Sequence, residues 1–342
     1  MPPPIPVARL YGPGDIRVET QTRDAAGPGA VRLRVTAVGL CGSDRHWFVD
    51  GAIGRTSLVE PLVPGHEFIG VILDGPRAGE RVVADPAIPC GRCATCSRGA
   101  GHLCPRGRFA GYPGTPGALR AEMSWPADLL HLIPDRFLDD DAVLAEPLGI
   151  ALHAVDLADV RPGDRVGVLG CGPIGLLLVR LLDHLGARVV IATDVLEHRL
   201  DVARSMGAEE TRVVTATQDD AEPAGSDLDL DVAFEAAGED AAIDDAIHAS
   251  RPGGRLILVG IPGDERTSFV AESARRKELT IRLCRRMRAT DLPRAIDLLA
   301  NELAPTSLVS GRFDLTRAAE AFATLATRDG VKVVVQPSGA AG

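Results

Sequence analysis

Four cysteines, Cys90, Cys93, Cys96 and Cys104, stand close together in the run CGRCATCSRGAGHLC, spaced C-x2-C-x2-C-x7-C. Four thiolates at that spacing can surround one tetrahedral ion at bond lengths of about 2.3 Å. With every position filled by sulfur the site is closed, so its zinc braces a lobe (roughly residues 88–106) and does not react. A second set of ligand-type residues is scattered: Cys41 in GLCGSD, His66 and Glu67 in PGHEFIG, and Glu146 in AEPLGI. One thiolate, one imidazole and one or two carboxylates can hold zinc and leave a position for water or substrate. Such a zinc is a Lewis acid that lowers the pKa of an alcohol oxygen and eases departure of hydride from its carbon. Each residue alone also fits a duller role, as a small buried cysteine, a turn histidine or a solvated acid. Their combination is what points to an open metal centre.

A third segment carries different chemistry. Gly170-Cys171-Gly172-Pro173-Ile174-Gly175 follows the apolar run VGVL and opens a helical pattern. Glycines there permit a tight turn, close approach of backbone to a pyrophosphate and packing of helix on strand. The free N–H groups and positive dipole end of the helix favour the phosphates. Asp194 ends the next apolar run, VVIATD, where a carboxylate accepts hydrogen bonds from ribose hydroxyls and repels a 2′-phosphate. That favours NAD over NADP, although Arg199 is near enough in sequence to approach the same ribose. The loops 236–238 and 260–262, which include Ala237, Gly260 and Ile261, follow strand-like runs and are expected beside the ribose and nicotinamide.

The elements that must position these residues fall into two patterns. Residues 1–150 are rich in Gly and Pro, with short strand-like runs at 31–38 and 80–84, and suggest an all-β lobe. From Asp164 strands alternate with helices: strands at 165–169, 188–192, 231–234, 255–259 and 279–283, helices at 174–185 and 196–206. That alternation predicts an α/β domain with a doubly wound parallel sheet. Helices at 292–299 and 318–326 and a strand at 332–335 follow. The last strand is expected to return to the first lobe, making the nucleotide domain an insertion. The domains are therefore 1–150 plus 286–342, and 151–285. At 342 residues the chain exceeds one typical core. A net charge of −10 without a basic tract argues against nucleic acid as a partner. The opening MPPPIPVARL lacks the basic start and long apolar run of a secretion signal. No apolar stretch reads as a span, and clustered cysteines suit a reducing compartment, so a cytoplasmic location and no membrane partner are expected. The acidic stretch 218–231 reads as a solvated loop and the tail PSGAAG as frayed.

The segments GLCGSDRHWFVDGAIG, PLVPGHEFIGVI, CGRCATCSRGAGHLC, AEPLGIALHA, GVLGCGPIGLL and DVAFEAAG resemble the zinc-containing medium-chain alcohol dehydrogenase family, most closely its polyol (sorbitol or xylitol) branch. The resemblance implies a GroES-like β-barrel catalytic domain with an inserted Rossmann domain, two zinc ions per chain, and NAD. Cys41, His66 and Glu67 match the catalytic zinc ligands of polyol dehydrogenases, and Glu146 matches an acid beside that zinc. Simple alcohol dehydrogenases place a cysteine at the Glu146 position, which favours the polyol branch. Ser43 and His46 match a route for the alcohol proton. Asp44 is expected to order its turn. Trp47 stands where many relatives have tyrosine, a candidate substrate contact, and Arg286 falls near an arginine that relatives place in the cleft. The implied activity is oxidation of a secondary alcohol of a polyol or sugar derivative, in a homodimer or homotetramer. Alternatives within the family are threonine, aminocyclitol or simple-alcohol dehydrogenases; outside it, a non-catalytic nucleotide-binding or regulatory protein.

Overall fold

The computed structural model describes residues 4–214, 228–263, 265–303 and 308–338. The acidic stretch 218–231 lies outside the described residues as far as residue 227, and so does the tail beyond residue 338. The chain divides into two units, residues 1–146 with 287–342, and residues 147–286.

The first unit is built on a sheet of seven strands. Its main path runs Leu130–Leu132, Arg81–Ala84, Glu67–Ile72, Ala30–Leu40, Lys332–Gln336, Val309–Asp314, and Glu122–Pro126 also pairs with Ala30–Leu40. Pairing is antiparallel except between the last two strands of the path. The long strand Ala30–Leu40 alternates buried and exposed positions in its first half and is buried throughout from Ala37 to Leu40. Alternation is what one solvated face requires; continuous burial marks the end of the sheet that is covered on both faces. There Glu67 pairs with Gly39 on one side, and Val334 pairs with Gly39 on the other. The final strand thus packs in the first unit, as the sequence predicts. Phe68, Trp125, Leu33, Leu119 and Phe322 are among the side chains filling the core beneath.

One local difference matters for the site. GSDRHWFV, which the sequence suggests is turn, forms the helix Gly42–Val49. Cys41 is its extended N-cap and Asp44 sits at the third helical position, where its carboxylate accepts the Cys41 N–H at 3.0 Å. This reciprocal cap satisfies helix N–H groups that would otherwise be orphaned and fixes the start of the helix one residue beyond the strand.

The second unit holds a six-stranded parallel sheet, ordered Glu210–Val213, Arg188–Asp194, Arg165–Leu169, Leu230–Glu235, Ser250–Leu258, Thr280–Leu283. Counted along the chain, this is third, second, first, fourth, fifth, sixth, the doubly wound order. Helices Pro173–His184, Glu197–Ser205, Asp240–Ala249 and Ala271–Arg276 follow the strands. The strand expected at 255–259 begins at Ser250 instead. Pro252, Gly253 and Gly254 read as a turn, and the sheet accommodates them by a register shift between Leu230 and Val232. The sheet order reverses between Arg165–Leu169 and Leu230–Glu235, and ligands of such sheets bind at that point, beyond the strands' carboxyl ends.

Candidate metal centres and dinucleotide site

In the first unit the end of one strand and the start of another bring the scattered ligands together. Cys41 follows the strand Ala30–Leu40, and His66 precedes the strand Glu67–Ile72, which is its neighbour. The Cys41 Sγ lies 3.3 Å from His66 Nε2. Asp44 is fully buried between them: one oxygen accepts from the Cys41 backbone and thiol, the other accepts the Gly65 N–H at 3.1 Å. A single carboxylate therefore sets the backbone on both sides of the pair. The His66 ring also leans on Phe109, with centroids 5.0 Å apart.

His66, Glu67 and Glu146 form a second, overlapping triad, its ligand atoms all within 4.8 Å of one another, as are those of Cys41, Asp44 and His66. Glu146 comes from the first turn of the helix Ala145–Ala158. Burial, reinforced by Glu67, pushes the Glu146 carboxyl well above its ordinary range. Burial, with Asp44 and then Glu67, does the same to the Cys41 thiol. Both shifts describe anions crowded into a dry place, which a divalent cation would relieve. The Glu146 Oε2 is buried without a hydrogen-bond partner, an acceptor that a cation or protic ligand would satisfy. Sulfur, imidazole and carboxylate donors of this kind fit zinc.

The sequence did not reveal Lys332. It is fully buried at the start of the final strand and forms an ion pair with Glu67, which is 2% exposed. The two side chains meet across Gly39 on the intervening strand, where a Cβ would collide with the Glu67 carboxylate, Lys332 Cε and Val143 Cγ2. A lysine opening the apolar run KVVVQ is the one sequence signal of this pair, since lysine is almost never fully buried unless paired.

Other expected site residues are placed as follows. Ser43 and His46 lie half-buried on the helix Gly42–Val49, and the His46 Nδ1 is 2.8 Å from Asp50 Oδ2. Trp47 is carried by the same helix. It is 1% exposed within the hydrophobic core, edge-on to Tyr112 at 5.7 Å. A helix packed on a sheet must turn its largest apolar side chain inward, and burial of that indole secures the helix that carries Ser43 and His46. Arg286 is the last residue of the second unit and has φ of +55°, a left-handed turn after the strand Thr280–Leu283.

The four-cysteine segment winds around the short helix Ala94–Ser97 and the 3-10 turn Gly101–Leu103. The sulfurs of Cys90, Cys93, Cys96 and Cys104 all lie within 4.8 Å of one another. Hydrogen bonding, chiefly from the Arg92 N–H, pulls the Cys90 thiol down to about 6. A pre-formed cluster of four sulfurs, with one thiol already inclined to ionise, suits a closed zinc site.

In the second unit Gly172 caps the helix Pro173–His184 with Pro173 at its first position. Ile174 follows, half-buried. Gly170 has φ of +100°, and a Cβ on it would stand 2.6 Å from the Ala237 nitrogen; one on Gly175 would strike the Gly170 carbonyl. The turn is thus closed by contacts only glycine permits, leaving the helix N-terminus open to a phosphate. Asp194 accepts N–H groups from Cys171 at 2.8 Å and Leu196 at 2.9 Å, and Arg199 Nη1 lies 4.0 Å away. The acid therefore ties the second strand to the glycine turn. Burial, with Asp194, pushes the Cys171 thiol up to about 12, so Cys171 is an inert small residue. Ala237 and Ile261 are exposed at the carboxyl edge of the sheet, and Gly260 is half-buried beside them.

A sheet unit carrying two ligand clusters, combined in one chain with a doubly wound sheet and its glycine turn, is the plan of a zinc-binding dehydrogenase. The comparisons with known proteins agree. Residues 27–135 match the alcohol dehydrogenase GroES-like domain, and residues 173–301 match the zinc-binding dehydrogenase domain. A sorbitol dehydrogenase of Bacillus subtilis is 31% identical over 99% of both chains. A probable D-xylulose reductase A of Aspergillus clavatus is 33% identical over 90% of this chain and 89% of its own. The crystal structure of L-idonate 5-dehydrogenase from Escherichia coli superposes with a TM-score of 0.88 at 27% identity, covering 97% of this chain and 98% of that one. The chain belongs to the zinc-containing medium-chain alcohol dehydrogenase family, in its polyol branch.

Proposed function

We propose that the protein is a zinc- and NAD-dependent dehydrogenase that oxidises a secondary alcohol of a polyol or sugar derivative to the ketone. The observation that carries this reading is the pair of overlapping ligand triads that share His66, half-buried Cys41 with buried Asp44 on one side and buried Glu67 with Glu146 on the other, an excess of anionic ligands that a structural role leaves unexplained. A closed zinc site on Cys90, Cys93, Cys96 and Cys104 would brace the lobe. Cys41, His66, Glu67 and Glu146 would hold a zinc, which would supply Lewis acidity for the alcohol oxygen, and bound NAD would supply the hydride acceptor. The remaining work belongs to the chain. Asp44 holds Cys41 and the approach to His66 in place. Lys332 offsets the charge of Glu67. The alcohol proton leaves through Ser43 and then His46, whose ring Asp50 orients. In the second unit the helix N-terminus at Gly172–Gly175 receives the pyrophosphate and Asp194 the adenosine ribose, which supports NAD over NADP. Ala237, Gly260 and Ile261 line the nicotinamide side. Arg286, next in sequence after that edge, is a candidate contact to substrate or cofactor. The chain would comprise a catalytic domain, 1–150 plus 286–342, with the nucleotide domain, 151–285, as an insertion in its sequence. Among the described residues no helix is long and apolar enough to cross a membrane. We infer a cytoplasmic homodimer or homotetramer, for which the exposed edge strand Thr280–Leu283 is a pairing candidate.

The decisive experiment combines metal analysis with NADH formation on sorbitol, xylitol, other polyols, aldonates, inositols, threonine and simple alcohols, with NAD and with NADP. Two zincs per chain and turnover of polyols or their acids, lost in Cys41→Ser, is the expected result. Turnover of threonine or simple alcohols alone would overturn the substrate class. A single zinc with no turnover would favour a non-catalytic protein.

A further inference from the structure

Glu235 ends the strand Leu230–Glu235, beside the reversal of the sheet, and is 1% exposed. Among the described residues its carboxylate is met by backbone N–H groups and by no ion pair. One carboxylate oxygen, Oε1, accepts the N–H of Ala237 at 2.7 Å and of Gly238 at 2.5 Å. The other, Oε2, lies against Gly260, 2.8 Å from where a Cβ would be. The backbone carbonyl of Glu235 accepts from Val259 at 2.7 Å and Gly260 at 3.0 Å. A single residue therefore grips both loops at the carboxyl edge, one by its side chain and one by its main chain. Burial pushes its carboxyl upward and the loop N–H groups, Gly238 foremost, pull it back.

The loops it grips are stacked. A Cβ on Gly260 would strike Gly238, one on Gly238 would strike the Ile261 carbonyl, and one on Gly170 would meet the 236–237 peptide. The order is Ile261 and Gly260, then Gly238, then Ala237 and Ala236, then Gly170 of the phosphate turn. No layer can shift without moving the next. Peptide planes here are trans, so an N–H turned toward Glu235 sends the carbonyl of the same plane the opposite way. Holding the N–H groups of Ala237 and Gly238 thereby turns the carbonyls of Ala236 and Ala237 away from the carboxylate, as acceptors of fixed direction.

We propose that Glu235 is a positioning residue for the dinucleotide: its carboxylate locks the stacked loops 236–238 and 260–261 onto the phosphate turn and so presents a rigid edge to the nicotinamide half of the cofactor. The inference rests on the cofactor reading above. It concerns one half of the ligand, because the adenosine end falls to Asp194, whose backbone partners are Cys171 and Leu196. A glutamine at 235 would set an NH2 group against N–H donors and keep one acceptor at most.

The test measures NADH binding by nucleotide fluorescence and AMP binding by calorimetry, on the intact zinc-loaded protein and on Glu235→Gln. AMP affinity within about twofold of wild type with NADH affinity at least about tenfold weaker is expected, the loss of one charge-assisted hydrogen bond being about that large. Unchanged NADH affinity, or an equal loss for both ligands, overturns the proposal; an equal loss would make Glu235 a residue of general stability. Should Glu235→Gln fail to fold, Glu235→Asp keeps the charge but withdraws it by about 1.5 Å, and the same selective loss of NADH is expected. Equal affinities there overturn the role as well. Failure of the wild-type protein to bind NADH or AMP would overturn the cofactor reading and the proposal with it. NADH binding by wild type and variant alike overturns the role of Glu235 alone.

Discussion

Replacing Lys332 by methionine should make the protein less stable without metal and, at the same time, a tighter zinc binder. Lys332 is fully buried, Glu67 is 2% exposed, and each is the other's ion-pair partner. Removing one member of a buried pair leaves an uncompensated charge at a cost of about 3–5 kcal/mol. Methionine keeps most of the volume, so a packing defect adds little. Zinc on the adjacent ligands is itself a cation, and in the variant it takes over part of the lost neutralisation. If it restores about half of about 4 kcal/mol, linkage requires the same 2 kcal/mol, roughly, to appear as affinity, which is about thirtyfold tighter binding. The assay is competition for zinc against a chromophoric chelator, with urea unfolding in the chelated and saturated states. The four-cysteine site is unaltered and serves as an internal reference. Weaker or unchanged zinc binding in Lys332→Met would refute the argument, as would an equal loss of stability with and without zinc.

Other outcomes follow from the same geometry. Asp44→Ala leaves Cys41, His66, Glu67 and Glu146 in place but frees the backbone on both sides of the Cys41–His66 pair, and should weaken zinc at that site by about 10–100-fold in a chelator titration. Because burial pushes both the Cys41 thiol and the Glu146 carboxyl up, metal uptake must displace protons. Zinc affinity should therefore fall by about tenfold per pH unit of acidification for each proton displaced, with matching proton release in weakly buffered solution. Asp194→Ala removes the acid that accepts from Cys171 and Leu196, and the ratio of kcat/KM for NADP to that for NAD should rise by about tenfold or more. Cys104→Ser should abolish the closed site, lower the melting temperature and release one zinc per chain.

The legible part of this molecule was the part written in local pattern. The alternation of apolar runs and helices pointed to the parallel sheet, because its central strands are buried and read as continuous apolar runs. The glycine turn and the cysteine run are contiguous, so their spacing states their geometry. The metal ligands at Cys41, His66 and Glu146 were legible as a combination of ligand types and by resemblance, and not from local spacing, because two paired strands and a helix start far apart in sequence bring them together. What escaped was long-range electrostatics and side-chain direction. Lys332 lies far from Glu67 in sequence and reaches it only because two strands flank Gly39. Trp47 was singled out by resemblance alone, and the inward direction of its indole follows from the helix that Asp44 caps.

Two buried carboxylates bear on function in a common way. In both units a buried carboxylate holds backbone N–H groups just past the end of a strand, Asp44 where the strand gives way to a helix and Glu235 where it gives way to a loop. Each fixes the backbone beside groups that would do the chemistry. A buried carboxylate without a strong acceptor role would be neutralised or expelled. Here each oxygen is set against backbone donors or glycine, so the stability cost of burial is converted into a fixed loop geometry. Exposed loop side chains can then vary while the groups beside these carboxylates keep their positions, because the backbone they hold is tied to buried acceptors.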